Sequence, residues 1–241
     1  MALLWGAVVV LAAGFVRGYS GFGFSAVIVA GMSLIVSPAI AVPLAIMLEV
    51  TASLFQARSI WAQIDWRGSM ILLAGGLIGN PAGVWLLEVV PGPTLKLAVY
   101  LFVLAVALLL TAAKPKPREL STGLWFLVGL IAGLVNGATA LSGLFIVTVM
   151  TLCAIAPSRM RATLIAYFFF SDFYAGGLLA WRGFITMDLG YILIAAIPIM
   201  IAGIIAGSRH FLNTDDRQFR RATLALLTGL SLLGLGQLLA A

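Results

Sequence analysis

The chain has 241 residues, of which 63% are hydrophobic and only 9% are charged, with 14 basic and 8 acidic side chains. Soluble domains usually carry about 25% charged and about 45–50% apolar residues, so this composition excludes a soluble enzyme, a nucleic-acid-binding domain, a disordered protein and a secreted disulfide-linked domain. At roughly 20 apolar residues per crossing, the length predicts an all-α polytopic membrane protein, with the lipid bilayer as a predicted partner.

In chain order, glycines, prolines and charges divide the first half into five apolar segments, at about 3–16, 24–36, 39–57, 69–87 and 95–113. The first two have about 12–14 residues each, and we predict that they are too short to span comfortably. Residues 114–120 then contain two prolines and three basic residues, a composition that predicts a cytoplasmic linker rather than a helix in lipid.

After the linker the same order of segments recurs, at about 123–135, 144–155, 163–180, 189–208 and 223–239. Pro38 and Pro157 correspond at an offset of 119, and the Gly79–Gly83 and Gly203–Gly207 pairs at an offset of 124. We therefore predict two homologous repeats, residues 1–113 and 121–241, a duplication typical of secondary transporters. The glycine pairs are expected to pack helices closely, and they would permit a homodimer.

The charge distribution predicts how the repeats are oriented. Because each repeat has an odd number of segments, the second repeat enters the membrane from the opposite side. If the first two segments of each repeat form a re-entrant pair, three full crossings are left, and the number is still odd. Eleven of the fourteen basic residues then fall on one face. The positive-inside rule makes that face cytoplasmic and both termini periplasmic, in a bacterial inner membrane. The eleven are Arg58, Arg67, Lys114, Lys116, Arg118, Arg159, Arg161, Arg209, Arg217, Arg220 and Arg221.

Each repeat is interrupted by glycines and small polar residues between its first two segments. Paired breaks of this kind are the best sequence indication of a transporter's binding site, and the half-helix that follows offers free N–H groups and a positive dipole end to an anion. The predicted substrate-binding residues are Arg17, Gly18, Tyr19, Ser20, Gly21, Gly23 and Ser25 in the first break and Asn136, Gly137, Thr139, Ser142 and Gly143 in the second.

Three ionisable residues inside apolar segments are further candidates. Arg17 is the basic residue within the breaks, and its guanidinium suits a carboxylate, sulfonate or phosphate; alternatively it snorkels to the interface. Glu49 and Asp172 are acids within the third segment of each repeat. They are candidates to accept a coupling proton or to pair with Arg17, unless they lie near a helix end and contact water.

Enzyme motifs are absent from the sequence. His210 is the single histidine, and no phosphate-binding Gly-x-x-x-x-Gly-Lys motif is present. We therefore expect neither an enzyme nor a protein with a metal ion or cofactor, and any transport would be driven by a gradient rather than by ATP.

Around the two breaks the sequence resembles the TauE/SafE family of sulfite exporters, also described as sulfite and organosulfonate permeases. The first stretch runs from Gly14 through Gly21-Phe22-Gly23 to Pro38, and the second from Gly133-Leu-Val-Asn-Gly137 through Ser142-Gly143 to Pro157. The family's second motif often reads Ser-Gly-Pro-Pro, whereas this chain has Leu144-Phe145 after Ser142-Gly143. The bulkier residues suggest a larger substrate, such as an aromatic sulfonate taken up by the cell.

The resemblance implies transport of sulfite, an organic sulfonate or a related small organic anion across the inner membrane. Our sequence-based prediction is a secondary transporter that works by alternating access, with the anion held at the paired breaks. Two alternatives stay open. One is an anion channel that uses the same breaks as a filter, and the other is a membrane subunit that transports nothing.

Overall fold

A computed structural model describes residues 2–57, 64–112 and 116–211, together with 228–229, 231–232, 234–236 and 238–239 of the last segment, which are helical. Seven helices in these ranges are long and apolar enough to cross a membrane. This finding confirms the prediction of an all-α polytopic membrane protein. The bounded helices are α1 Ala2–Ser20, α2 Phe24–Met32, α3 Pro38–Ala57, α4 Trp66–Val89, α5 Gly92–Ala112, α6 Thr122–Thr139, α7 Ser142–Leu152, α8 Pro157–Trp181 and α9 Met187–Phe211.

The first helix of each half is longer than the sequence predicted. With 19 residues in α1 and 18 in α6, both are long enough to cross a membrane, so the prediction that these segments are too short was wrong. The reason is that Gly18 and Gly137 do not end their helices; they lie inside them, against the backbone of a neighbouring helix. By contrast, α2 and α7 have 9 and 11 residues, too few to cross a core about 30 Å thick.

Each short helix forms a hairpin with the long helix before it. In the first hairpin, α1 with α2, the indole N–H of Trp5 donates to the carbonyl of Gly31 at 2.9 Å. In the second, α6 with α7, the N–H groups of Lys116 and Arg118, just before α6, donate to the carbonyls of Leu152 and Cys153 at the end of α7, at 3.0 and 3.3 Å. The chain thus turns back toward the side from which each hairpin began.

The two halves pack against each other through helices in equivalent positions. α1 packs against α9, α6 packs against α4, and α3 packs against α8. The predicted duplication would produce this arrangement, because the first helix of each half then meets the fourth helix of the other; the duplication itself stays a prediction. Of the basic residues on the predicted cytoplasmic face, Arg58, Lys114, Arg217, Arg220 and Arg221 lie outside the described residues.

Glycines allow the close approach of α4 to α6 and of α9 to α1. A Cβ atom at Gly79 or Gly83 of α4 would overlap a backbone carbonyl of α6, and one at Gly203 or Gly207 of α9 would overlap a carbonyl of α1. Since lipid offers no hydrophobic drive for helix association, close backbone contact of this kind holds membrane helices together. The structure therefore shows the close packing expected of both glycine pairs.

Two ion pairs join the ends of α4 and α8. At the start of both helices Arg159 pairs with Asp65, whose carboxylate also accepts the N–H of Gly68 and caps α4. At their other ends Arg182 pairs with Glu88 at 2.7 Å. The two helices therefore run in the same direction and are clamped at both ends.

The Asp65 pair predicts an acid-dependent loss of stability. Burial alone would raise the pKa of Asp65, but hydrogen bonds from Arg159 and Gly68 outweigh it, so the pKa lies below its usual value. A lowered folded-state pKa stabilises the fold above the unfolded pKa of about 4 and ceases to do so as the pH falls through the folded value.

We therefore expect the wild type to lose more thermal stability on acidification than Arg159→Gln does. The difference should be under about 1 kcal/mol, because exposed pairs are screened by water. Asp65→Asn is the control, since asparagine still caps the helix but cannot titrate. Identical pH profiles for all three proteins in detergent would show that the pair contributes nothing.

Candidate functional site

Arg17 is the centre of a buried polar cluster formed by the end of α1 and one face of α3. Its guanidinium pairs with the Oε1 atom of Glu49 and donates to Ser53 Oγ and to Gln56 Oε1, both at 2.8 Å. The side chain is fully buried, so Arg17 does not snorkel to the interface, and it adopts the predicted alternative of pairing with Glu49. The Phe168 ring of α8 lies 5.0 Å from the guanidinium carbon, within cation–π distance.

A second buried polar cluster lies at the end of α6. Asn136 donates to Asp172 Oδ1 of α8 at 2.6 Å, and its Oδ1 atom accepts the Ser142 hydroxyl at 2.7 Å. Asn80 of α4 donates to Ser171 Oγ at 3.0 Å. Asn136 thus holds the place in the second hairpin that Arg17 holds in the first, so Arg17 supplies the only full positive charge among these two clusters.

A small cavity with a free volume of about 10 Å³ lies between the two hairpins. It is lined by the turn and first residues of each short helix, with one side chain from α3 and one from α8. One water molecule needs about this much space, so the cavity is nearly closed in this conformation. The lining residues are Gly23, Ser25, Ala26, Glu49, Ala140, Leu141, Gly143, Leu144 and Phe168.

Two uncapped helix N-termini face this cavity. The N-cap residues of α2 and α7, Gly23 and Leu141, make no side-chain cap hydrogen bond, whereas Asp65 and Ser121 cap α4 and α6. The first N–H groups of a helix have no partner within the helix and carry the positive end of its dipole. Two such ends at one small cavity favour an anion there.

The tight turns between the paired helices have related backbone conformations. Gly21 after α1 and Ala140 after α6 have positive φ values of 77° and 57°. The Ser20 hydroxyl accepts the N–H of Phe22 at 3.2 Å and so fixes the first turn. The helix interruptions are therefore shorter than the breaks predicted from sequence, at residues 21–23 and 140–141.

The structure brings four of the predicted site residues to the cavity wall, namely Gly23, Ser25, Gly143 and Glu49. Arg17, Asn136, Ser142 and Asp172 belong to the two polar clusters behind it. The remaining predicted residues lie in the last helical turns of α1 and α6 or in the turn between α1 and α2. They are Gly18, Tyr19, Ser20, Gly21, Gly137 and Thr139. Thr139, for example, bonds its own helix at Val135 O.

Sequence reasoning missed Ser53, Gln56, Ser171 and Phe168. The first two were detectable, because Glu49, Ser53 and Gln56 recur at helical spacing and therefore share one face of an apolar helix. Ser171 stands beside Asp172, which is a weaker signal. The contact of Phe168 with Arg17 depends on the packing of α8 near α1, which no pattern within α8 indicates.

Comparison with known protein families shows which family the chain belongs to. The family model described as Sulfite exporter TauE/SafE matches residues 6–233. The chain belongs to the TauE/SafE family. No curated protein and no solved structure matches the chain. Family membership and the apolar helices together identify a membrane transporter, in agreement with the resemblance found in the two breaks.

Proposed function

We propose that this TauE/SafE protein carries sulfite, a small organic sulfonate or a related small anion through the cavity between its two hairpins. The observation that carries the proposal is the convergence of two uncapped helix N-termini, of α2 and α7, on one small cavity. Backbone N–H groups and helix dipoles recognise oxyanions without a dedicated basic side chain.

The cavity supports a small substrate. In this conformation its free volume of about 10 Å³ is close to what one water molecule needs, so the substrate has to be small and the hairpins have to separate to admit it. Leu144 and Phe168 supply an apolar wall for a short organic group, and Ser25 supplies a hydroxyl. We therefore propose sulfite or a short alkyl sulfonate before the aromatic sulfonate that the sequence suggested.

The hairpin architecture supports a carrier. Non-helical backbone at membrane depth is tolerated where protein covers it or where it lines a cavity. Here both turns lie at a closed contact between the halves, since α2 packs against α7. Alternating access would move one hairpin and its partner helices relative to the other, with the anion between them.

Counterflow in proteoliposomes tests the transport proposal. Vesicles loaded with unlabelled sulfite should accumulate labelled sulfite transiently, and the flux should saturate. Linear flux without counterflow would indicate a channel instead. Absence of flux for sulfite and for short sulfonates would favour the alternative of a membrane subunit that transports nothing.

A further inference from the structure

Glu49 separates Arg17 from the cavity. The Glu49 carboxylate lines the cavity wall, whereas Arg17 is fully buried behind it and does not line the cavity. An anion that enters the cavity therefore meets a carboxylate before it meets the guanidinium. Two negative groups in contact in a poorly solvated site repel each other strongly unless one of them is protonated.

The same carboxylate already binds the two donors that an anion in the cavity would need. One oxygen of Glu49 pairs with Arg17, and the other accepts the hydroxyl of Ser25 at 2.5 Å. Ser25 lies in the first turn of α2, at one of the two uncapped N-termini. Glu49 thus stands in this structure where the oxygens of a bound anion would stand.

We propose that the Glu49 carboxylate competes with the substrate anion for Arg17 and Ser25, and that Glu49 is the residue that binds the coupled proton. When Glu49 takes one proton from the solvent, it becomes neutral and releases Arg17 and Ser25 to the anion. One proton and one anion therefore bind together, and Arg17 keeps its charge. The inference deepens the proposed function and rests on it, since it requires an anion in the cavity.

The groups around Glu49 favour it over Asp172 as this proton site. Asp172 of α8 is held by Asn136 and does not line the cavity, although its charge interacts with that of Arg17. Arg161 of α8 donates to the carbonyl of Gly18 at 3.4 Å. α2 and α6 carry no acidic or basic residue, and those of α4, α5 and α9 lie near the helix ends, at Arg67, Glu88, Lys96, Asp188, Arg209 and His210.

The dependence of anion affinity on pH tests the inference. The probe is methanesulfonate, because its charge does not change across the neutral range. If binding requires one proton on Glu49, the affinity of the wild type should fall by about tenfold per pH unit where Glu49 is ionised. Glu49→Gln, which keeps the shape of the side chain without its charge, should bind with an affinity independent of pH. Glu88→Gln is the matched control at an exposed acid and should keep the wild-type slope.

Three results would overturn the inference. They are equal slopes in wild type and Glu49→Gln, a flat profile in the wild type, or loss of the slope in Asp172→Asn with the slope kept in Glu49→Gln. If methanesulfonate fails to bind the wild type at every pH while sulfite and other small anions fail as well, the proposed function falls, and this inference with it. Binding without pH dependence overturns the inference alone.

A second measurement needs no variant, because Glu49→Gln leaves Arg17 without its carboxylate and could fail to fold. Wild-type protein in a weakly buffered solution at a pH where Glu49 is ionised is mixed with methanesulfonate, and a pH indicator reports the protons taken up. We expect about one proton per bound anion. Binding without proton uptake would contradict the role of Glu49.

Discussion

Arg17→Gln is expected to cost about 3–5 kcal/mol of stability, the usual effect of removing one partner from a buried ion pair. The variant leaves the carboxylate of Glu49 in a fully buried site with the Ser25 hydroxyl as its remaining described donor. The measurement is the thermal unfolding of detergent-purified protein. Arg182→Gln is the matched control, because it breaks the exposed pair with Glu88 and should cost no more than about 1 kcal/mol.

The double variant Arg17→Gln/Glu49→Gln separates the pair from the packing around it. With both charges removed, the amides can still bond Ser53 and Gln56, so most of the lost stability should return. Anion binding should return only in part, because the two helix N-termini at the cavity remain but the positive charge of Arg17 is lost. If Arg17→Gln alone is as stable as the wild type and binds anions equally well, Arg17 has neither a structural nor a binding role.

Gly79→Leu is expected to prevent stable packing of α4 against α6. Even a Cβ atom at this position would overlap the carbonyl oxygen of Leu130, and the neighbouring backbone cannot move away as a flexible side chain could. Overpacking usually costs about 1–3 kcal/mol, and we expect a larger loss here because the obstacle is backbone. The variant should show little monodisperse protein after extraction in detergent.

Gly177→Leu provides the control for the same exchange. Gly177 lies inside α8 on an exposed face, and a Cβ atom there would meet nothing within 4 Å. Leucine is the better helix former by up to about 1 kcal/mol, so this variant should be as stable as the wild type or slightly more so. Equal stability of Gly79→Leu and Gly177→Leu would contradict the assigned role of glycine at the contact between α4 and α6.

The sequence predicted the helices well because lipid imposes a simple rule. A long apolar segment bounded by charges or prolines must be helical, and α3, α4, α5, α8 and α9 lie where the pattern indicates. The ends of α1 and α6 were placed too early, because Gly18 and Gly137 look like helix breakers. They are instead contact points with Ile204 of α9 and Asn80 of α4, and a single segment does not reveal which helix faces it.

The sequence indicated some of the residues that line the cavity, but not how the polar side chains around it are hydrogen-bonded to one another. Paired glycine breaks indicated the region where Ser25 and Gly143 meet at one cavity. Glu49 was recognised as unusual because a charge in lipid is costly. That Glu49 stands between Arg17 and the cavity could not be predicted, since the order of side chains along that line depends on how α1, α2 and α3 pack together.

The most direct test of the central claim compares anion binding in the wild type with that in Ala140→Leu and Ala154→Leu. Both alanines have positive φ, 57° and 54°, so the two substitutions carry similar backbone strain. Ala140 lines the cavity, whereas Ala154 lies in the exposed turn after α7. The difference between the variants therefore reports the filling of the cavity.

The measurement is the thermal unfolding midpoint in detergent with sulfite, sulfate, taurine, sulfoacetate, an aromatic sulfonate and matched carboxylates. At a hundredfold excess over Kd, a ligand adds about 2.7 kcal/mol, which corresponds to a shift on the order of 5–10 °C. We predict that sulfite or a small sulfonate shifts the wild type and Ala154→Leu but not Ala140→Leu, with the aromatic sulfonate weaker. No shift in the wild type, or an equal shift in Ala140→Leu, would contradict an anion site between the two hairpins.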